Sequence, residues 1–413
     1  MAADAITTPS IRQLAAISRA TLNDDVFGED STTSQFEREM ADACGQEAGA
    51  FVMSGTMANQ LALGALCQHR PHAVLADASA HVVNFEAGGL AHLSGATVQP
   101  VQPSNGLYLT VDDIARHAKV PSPLATDKGS SSSSTTKSSN TWTPLPWEVC
   151  PTKIVSLENT AHGNIIPLAE LRAIKEWASR RGVLVHVDGA RIWDAVASGR
   201  AGTLAEMASC TDAMTLSFAK GVGAPIGAMV VGSAEVIERV KRLRQSVGGG
   251  VRKVGVLAAA AREAVLENFG PGPADTRGAF GTAHDMAGTA ARWWTDRGGK
   301  LIRPTETNMV WLDLAAAGVT AEALNYRAMR SGILLAAPRI VFHHQICAKA
   351  MASLEQLFDD VLVRRRAEAA VGPGGGVGMQ SKGCVQPMWQ LRGPGGSGDL
   401  CGSAAKPGAT VDP

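Results

Sequence analysis

Lys153-Ile-Val-Ser-Leu157, the amphipathic Leu168–Arg180 and Val183-Leu-Val-His-Val187 follow one another as strand, helix and strand. A short unbroken apolar run suits a strand buried on both faces, whereas 168–180 carries helical spacing. The alternation extends in both directions. Upstream, 50–53, 73–76 and 97–101 read as strands and 57–67 as a helix. Downstream, 213–217 and 227–231 read as strands and 234–244 as a helix. Helices are also expected at 10–22, with Ile11, Leu14, Ala15 and Ile17 on one side, and through Phe36–Met40. After about residue 265 the pattern restarts: a helix at 281–297, strands at 299–303 and 308–313, a helix at 321–330, a strand at 339–342 and a helix at 347–370. The expected fold is α/β, a large domain with a mostly parallel sheet between helices plus a small C-terminal α+β domain. The boundaries are an arm at 1–22, the large domain at 23–264 and the small one at 265–370. The serine-rich run 127–141 reads as a flexible insertion and the Gly/Pro/Ser-rich 371–413 as a disordered tail.

Lys+Arg and Asp+Glu are equal in number at 38, so nothing favours nucleic acid or a membrane surface as partner. The seven cysteines (44, 67, 150, 210, 347, 384 and 401) form no CxxC pair, which argues against a zinc site or a disulfide framework. No metal is expected. The opening residues show no basic segment followed by an apolar one, and no run approaches the roughly 20 apolar residues of a membrane span. A soluble, cytoplasmic protein is expected.

Ligands of parallel sheets sit beyond the carboxyl ends of the strands, where Ser54, Asp188 and Lys220 all fall. Lys220 precedes a turn containing Gly221 and Gly223. A lysine there is either a hinge charge or an amine that holds a carbonyl cofactor as a Schiff base. Asp188 ends an apolar strand, where a carboxylate is costly unless paired, and a pyridinium nitrogen would pair it. In this order the two suggest pyridoxal 5′-phosphate. Ser54, Gly55 and Thr56 lie between a strand and a helix, suiting either a helix cap or an anion site. His81 could stack on a ring or serve only its loop, and Glu86 could bond the site or lie on a solvated face. Glu158 and Asn159 could orient ring substituents or mark a turn. Arg191 could reach the ring's oxygen or a substrate carboxylate.

The ordered runs Asp24–Asp30, Ser54–Asn59, Glu158–Thr160, His186–Arg191, Ala219–Pro225, Gly248–Arg252, Glu306–Trp311 and Arg339–Gln345 resemble the low-specificity L-threonine aldolases. The chain is most similar to their eukaryotic, fungal-like branch, over residues 4–370 less the serine-rich run. The resemblance implies the pyridoxal phosphate transferase fold of type I and cleavage of L-threonine or L-allo-threonine to glycine and acetaldehyde. It implies Lys220 as the catalytic Schiff-base lysine, Asp188, His81, Gly55, Thr56 and Arg252 as cofactor-binding residues, and Arg191 and Arg339 as holders of the substrate carboxylate. The reading of the residues adds Ser54, Glu86 and Arg191 to the cofactor set, Asn159 to the substrate set and His81 as a candidate base. The family's arginine at the position of Arg252 reaches a neighbouring subunit's phosphate, which implies a homo-oligomer, dimer or tetramer, with shared active sites. The chain departs from the family at its opening, Asp4-Ala-Ile-Thr-Thr-Pro9, where a serine for the substrate carboxylate is missing. Phe27 stands for a tyrosine and Ala219 for a serine, and Ala161 with His162 follows Thr160.

Three other readings compete. One is a serine hydroxymethyltransferase-like or β-eliminating enzyme on the same scaffold, and the second is an impaired scaffold protein of the same fold. A nicotinamide oxidoreductase is excluded by the missing dinucleotide fingerprint.

Overall fold

Seven strands form the central sheet of the computed structural model, in the order β1-β9-β8-β7-β6-β2-β3. They are β1 (Ala48–Val52), β2 (Ala73–Asp77), β3 (Thr97–Val101), β6 (Thr152–Glu158), β7 (Leu184–Gly189), β8 (Ala213–Ser217) and β9 (Ala228–Gly232). β4 (Ser122–Pro123) and β5 (Trp142–Thr143) pair as a short ribbon, and β10 (Met309–Trp311) pairs with β11 (Arg339–Val341). β9 is antiparallel to both β1 and β8, whereas the other sheet neighbours are parallel. The structure describes residues 1–123, 142–270 and 278–363. The serine-rich run 127–141 and the tail 371–413 lie outside the described residues.

The helices are α1 (Ile11–Ile17), α2 (Ser31–Ala43), α3 (Gly55–Leu66), α4 (His81–Asn84), α5 (Val111–His117), α6 (Leu168–Ser179), α7 (Ile192–Ala197) and α8 (Leu204–Ala208). Then come α9 (Ala234–Ser246), α10 (Gly255–Asn268), α11 (Gly278–Asp296), α12 (Ala321–Arg330) and α13 (Ala348–Phe358). None is long and apolar enough to cross a membrane among the described residues.

Strand alternation sends neighbouring residues into different cores. Ala50 and Val52 join Leu61, Val74, Val230 and Val240 on one face, and Phe51 joins Phe36, Trp193, Phe218 and Phe269 on the other. A third apolar cluster gathers Met1, Trp294, Leu324, Phe342, Leu354 and Phe358.

Two expectations of secondary structure differ from the structure, and one helix was not expected. α1 is shorter than 10–22 and turns Ile11 outward, 80% exposed, while Gln13 and Ala16 are buried. Its contact with α10 is polar: Ser10 Oγ and Gln13 Nε2 donate to Glu267 Oε2 at 2.6 and 3.2 Å. Residues 299–303 form no strand; Leu301 makes one isolated bridge to Leu312, and Pro304 has no N–H with which to continue a ladder. Helix α10, in a stretch left unassigned from sequence, is rich in small alanines whose even burial hides the amphipathic period.

Candidate active site

The carboxyl ends of β2, β6, β7 and β8 and the start of α3 converge on one cleft. Asp188 closes β7 and is buried; its Oδ1 accepts from the Ala190 amide at 2.9 Å, and its Oδ2 from Asn59 Nδ2 at 2.7 Å. Asn59 also donates to Glu86 Oε1 at 2.9 Å, and Thr215 Oγ1 donates to Asn59 Oδ1 at 3.0 Å. One amide therefore sits between two carboxylates and offsets their repulsion. Glu86 Oε1 is 2.8 Å from His81 Nδ1, and donor atoms of His81, Glu86 and Asp188 lie within 4.8 Å of one another. The bond to Glu86 raises the imidazole's pKa, with Asp188 and Glu158 adding to it. Burial and the neighbouring Asp188 push Glu158 up to about 7; its Oε2 accepts from the His81 amide at 3.0 Å.

Lys220 follows β8 and is half-buried, and it makes no ion pair among the described residues. Burial, helped by Arg191, lowers its pKa, as an amine that must attack a carbonyl requires. Arg191 is gripped by Asp4: Nε donates to Oδ2 at 2.7 Å and Nη2 to Oδ1 at 2.8 Å. Burial alone would raise the Asp4 carboxyl, but the guanidinium holds it far below the usual carboxylate range. Arg339, on β11, lies with its guanidinium carbon 6.0 Å from the Trp311 ring centre.

The structure thus brings together Lys220, Asp188, His81, Glu86 and Arg191. The Ser54 hydroxyl is occupied as the N-cap of α3, accepting from the Met57 amide at 3.1 Å, which leaves Gly55 and Thr56 as the first residues of that helix. A helix start offers unpaired N–H groups to an anion such as a phosphate. Asn159 does not face the cleft. It is wholly buried, accepts from the Ile166 amide at 3.2 Å and lies 3.7 Å from Met207 sulfur. Arg252 is also elsewhere, 62% exposed, paired with Asp24 and 5.7 Å from the Phe27 ring centre. His162 Nε2 lies 2.8 Å from Ser79 Oγ, and its ring meets Trp311 edge-on.

Sequence reasoning assigned no role to Asn59, Thr215, Asp4 or Asn308. Asn59 did carry a signal, since with Gln60 it is one of two adjacent polar residues buried in a largely apolar helix. Asp4 carried none, because its partner stands 187 residues away.

The residues fit pyridoxal phosphate: a buried carboxylate for a ring nitrogen, an amine of lowered pKa and a helix start for phosphate. Comparison with known proteins agrees. The family model described as "Beta-eliminating lyase" matches residues 1–126 and 149–317. The alanine racemase TOXG of Cochliobolus carbonum is 44% identical over 87% of this chain and 86% of its own. A low-specificity L-threonine aldolase of Eremothecium gossypii is 36% identical over 86% and 85% respectively. The threonine aldolase structure from Leishmania major superposes with a TM-score of 0.66 at 19% identity, covering 87% of this chain and 98% of that one, and shares the fold.

Proposed function

The chain belongs to the β-eliminating lyase family, and on that premise we propose that it is an enzyme that cleaves L-threonine, L-allo-threonine and related β-hydroxy-α-amino acids to glycine and an aldehyde. The observation that carries this reading is the convergence of Lys220, Asp188, His81 and Arg191 on one cleft. Pyridoxal phosphate, when bound, supplies the sink for the electron pair left at Cα. Lys220 would hold its aldehyde carbon, Asp188 would keep its ring nitrogen protonated, and Gly55 and Thr56 would receive its phosphate. Arg191 and Arg339 fix the substrate carboxylate, so that the Cα–Cβ bond is the one aligned for cleavage. His81, or a water it orients, takes the β-hydroxyl proton. The C–O bond becomes a carbonyl, acetaldehyde leaves, and Cα regains a proton to give glycine.

The test compares wild type with Lys220→Ala. Wild type should show the cofactor's visible absorbance band and release glycine from L-threonine without folate, as a Schiff-base lysine requires. The variant should lose both, and a variant that kept both would overturn the assignment. A second reading, racemisation of alanine, is favoured by the 44% identity to the C. carbonum protein of that name. It shares the first requirement, a labile bond at Cα, and D-alanine formed from L-alanine faster than glycine from threonine would support it.

Cytoplasmic residence is supported by the free thiols of Cys44, Cys67, Cys150, Cys210 and Cys347. An oligomer with Arg252 reaching a neighbour is supported by its position on the surface beside exposed Phe27. Glycine supply and threonine breakdown follow as metabolic roles.

A further inference from the structure

We infer that Asp4 is a positioning residue for substrate: it grips one edge of Arg191 and so presents the Nη1 end of that guanidinium to the amino acid's carboxylate. This deepens the aldolase reading and rests on it. Asp4 is 0% exposed and engages Nε and Nη2, while Nη1 takes no partner among the described residues. A guanidinium has two edges for planar recognition, and a carboxylate on the first orients the second.

The hold on Asp4 comes from the other arginine's side of the cleft. Asn308 Nδ2 donates to Asp4 Oδ2 at 3.1 Å, and Asn308 exchanges further bonds with the Phe342 backbone next to β11, which carries Arg339. Met1 carbonyl accepts from the Val341 amide at 3.0 Å, and Thr7 Oγ1 donates to the Lys220 carbonyl at 3.4 Å. One short arm therefore touches Arg191, the Lys220 turn and the Arg339 strand.

The test uses the holoenzyme as wild type and Asp4→Asn. Glycine affinity is read from the cofactor absorbance at equilibrium, and so is that of 1-amino-2-propanol, which is threonine without its carboxylate. The apo-protein melting temperature checks folding. Asp4→Asn should weaken glycine and raise KM for L-threonine by about tenfold or more, as loss of a charge-assisted grip does. It should leave the affinity for 1-amino-2-propanol nearly unchanged. Asn308→Leu, which spares both charges, should show the same pattern at smaller size and stands in should Asp4→Asn fail to fold. Unchanged or tighter glycine binding would overturn the inference, tighter binding marking the arm as a plug. Equal weakening of both ligands would also overturn it, as damage to the fold. A wild type that binds glycine but cleaves no β-hydroxy acid sinks the aldolase reading alone.

Discussion

At the residue scale, the cleft rests on neutral groups as much as on charged ones. Asn59 donates to both Asp188 and Glu86 from one amide nitrogen. Asn59→Leu leaves two adjacent carboxylates without that donor, so cofactor affinity should fall at least about tenfold, measured by absorbance titration of the apo-protein. Glu158 makes a pH prediction. Its carboxyl titrates near 4.5 when unfolded and at about 7 when folded. Below the first value both states are protonated. Between the two only the unfolded chain is ionised, so stability falls with rising pH and levels off above about 7. Glu158→Gln removes this loss: its unfolding free energy in urea should gain on wild type across that window, by about 3 kcal/mol at pH 8. A constant gap at every pH would refute it. Lys220 and Asp188 were legible from sequence because their chemistry is rare at strand ends. Asp4 and Asn308 were not, since their meaning lies in partners distant in the chain.

At the scale of elements, short loops between strand and helix set each group's position. Ser54 caps α3, and Ser54→Ala should cost about 1 kcal/mol of stability with little change in cofactor affinity. A large affinity loss with unchanged melting would instead make its hydroxyl a phosphate ligand. Gly189 has no room for a side chain, as a Cβ would lie 2.3 Å from the Thr215 carbonyl on β8. β7 and β8 approach closely beside Asp188, and Gly189→Ala should lower both melting temperature and cofactor binding. The buried Arg244 on α9 joins the Phe51 carbonyl of β1 at 2.6 Å to Asp25 at 3.1 Å. Arg244→Met leaves Asp25 buried without that cation and should cost about 3–5 kcal/mol in urea unfolding. The sheet strands were legible because double-sided burial writes unbroken apolar runs. Helix α1 misled, since exposed Ile11 and Leu14 mimic a core-facing stripe while its real contact with α10 is polar.

At the scale of the whole molecule, the first residues tie distant parts together. Met1 bonds beside β11, Asp4 binds Arg191, and Thr8 reaches Gln345 at 3.0 Å. The Val341 amide should therefore resist hydrogen exchange until global opening, and fast exchange there would show that the arm detaches on its own. The antiparallel strand β9 adds a consequence in time. Lys220 sits between β8 and β9, which are consecutive in the chain, and the Phe218 amide bonds the Gly227 carbonyl at 3.0 Å across the base of its loop. Such local pairing closes in microseconds, on the order of ten at most. Asp188 and Asn59 are separated by 129 residues and must wait for the long crossovers to close. The lysine's turn can thus close before its ring partner is in place. The burial and the Arg191 neighbour that lower its pKa arrive only with the rest of the fold, so the amine becomes reactive no earlier than the cleft that selects its aldehyde.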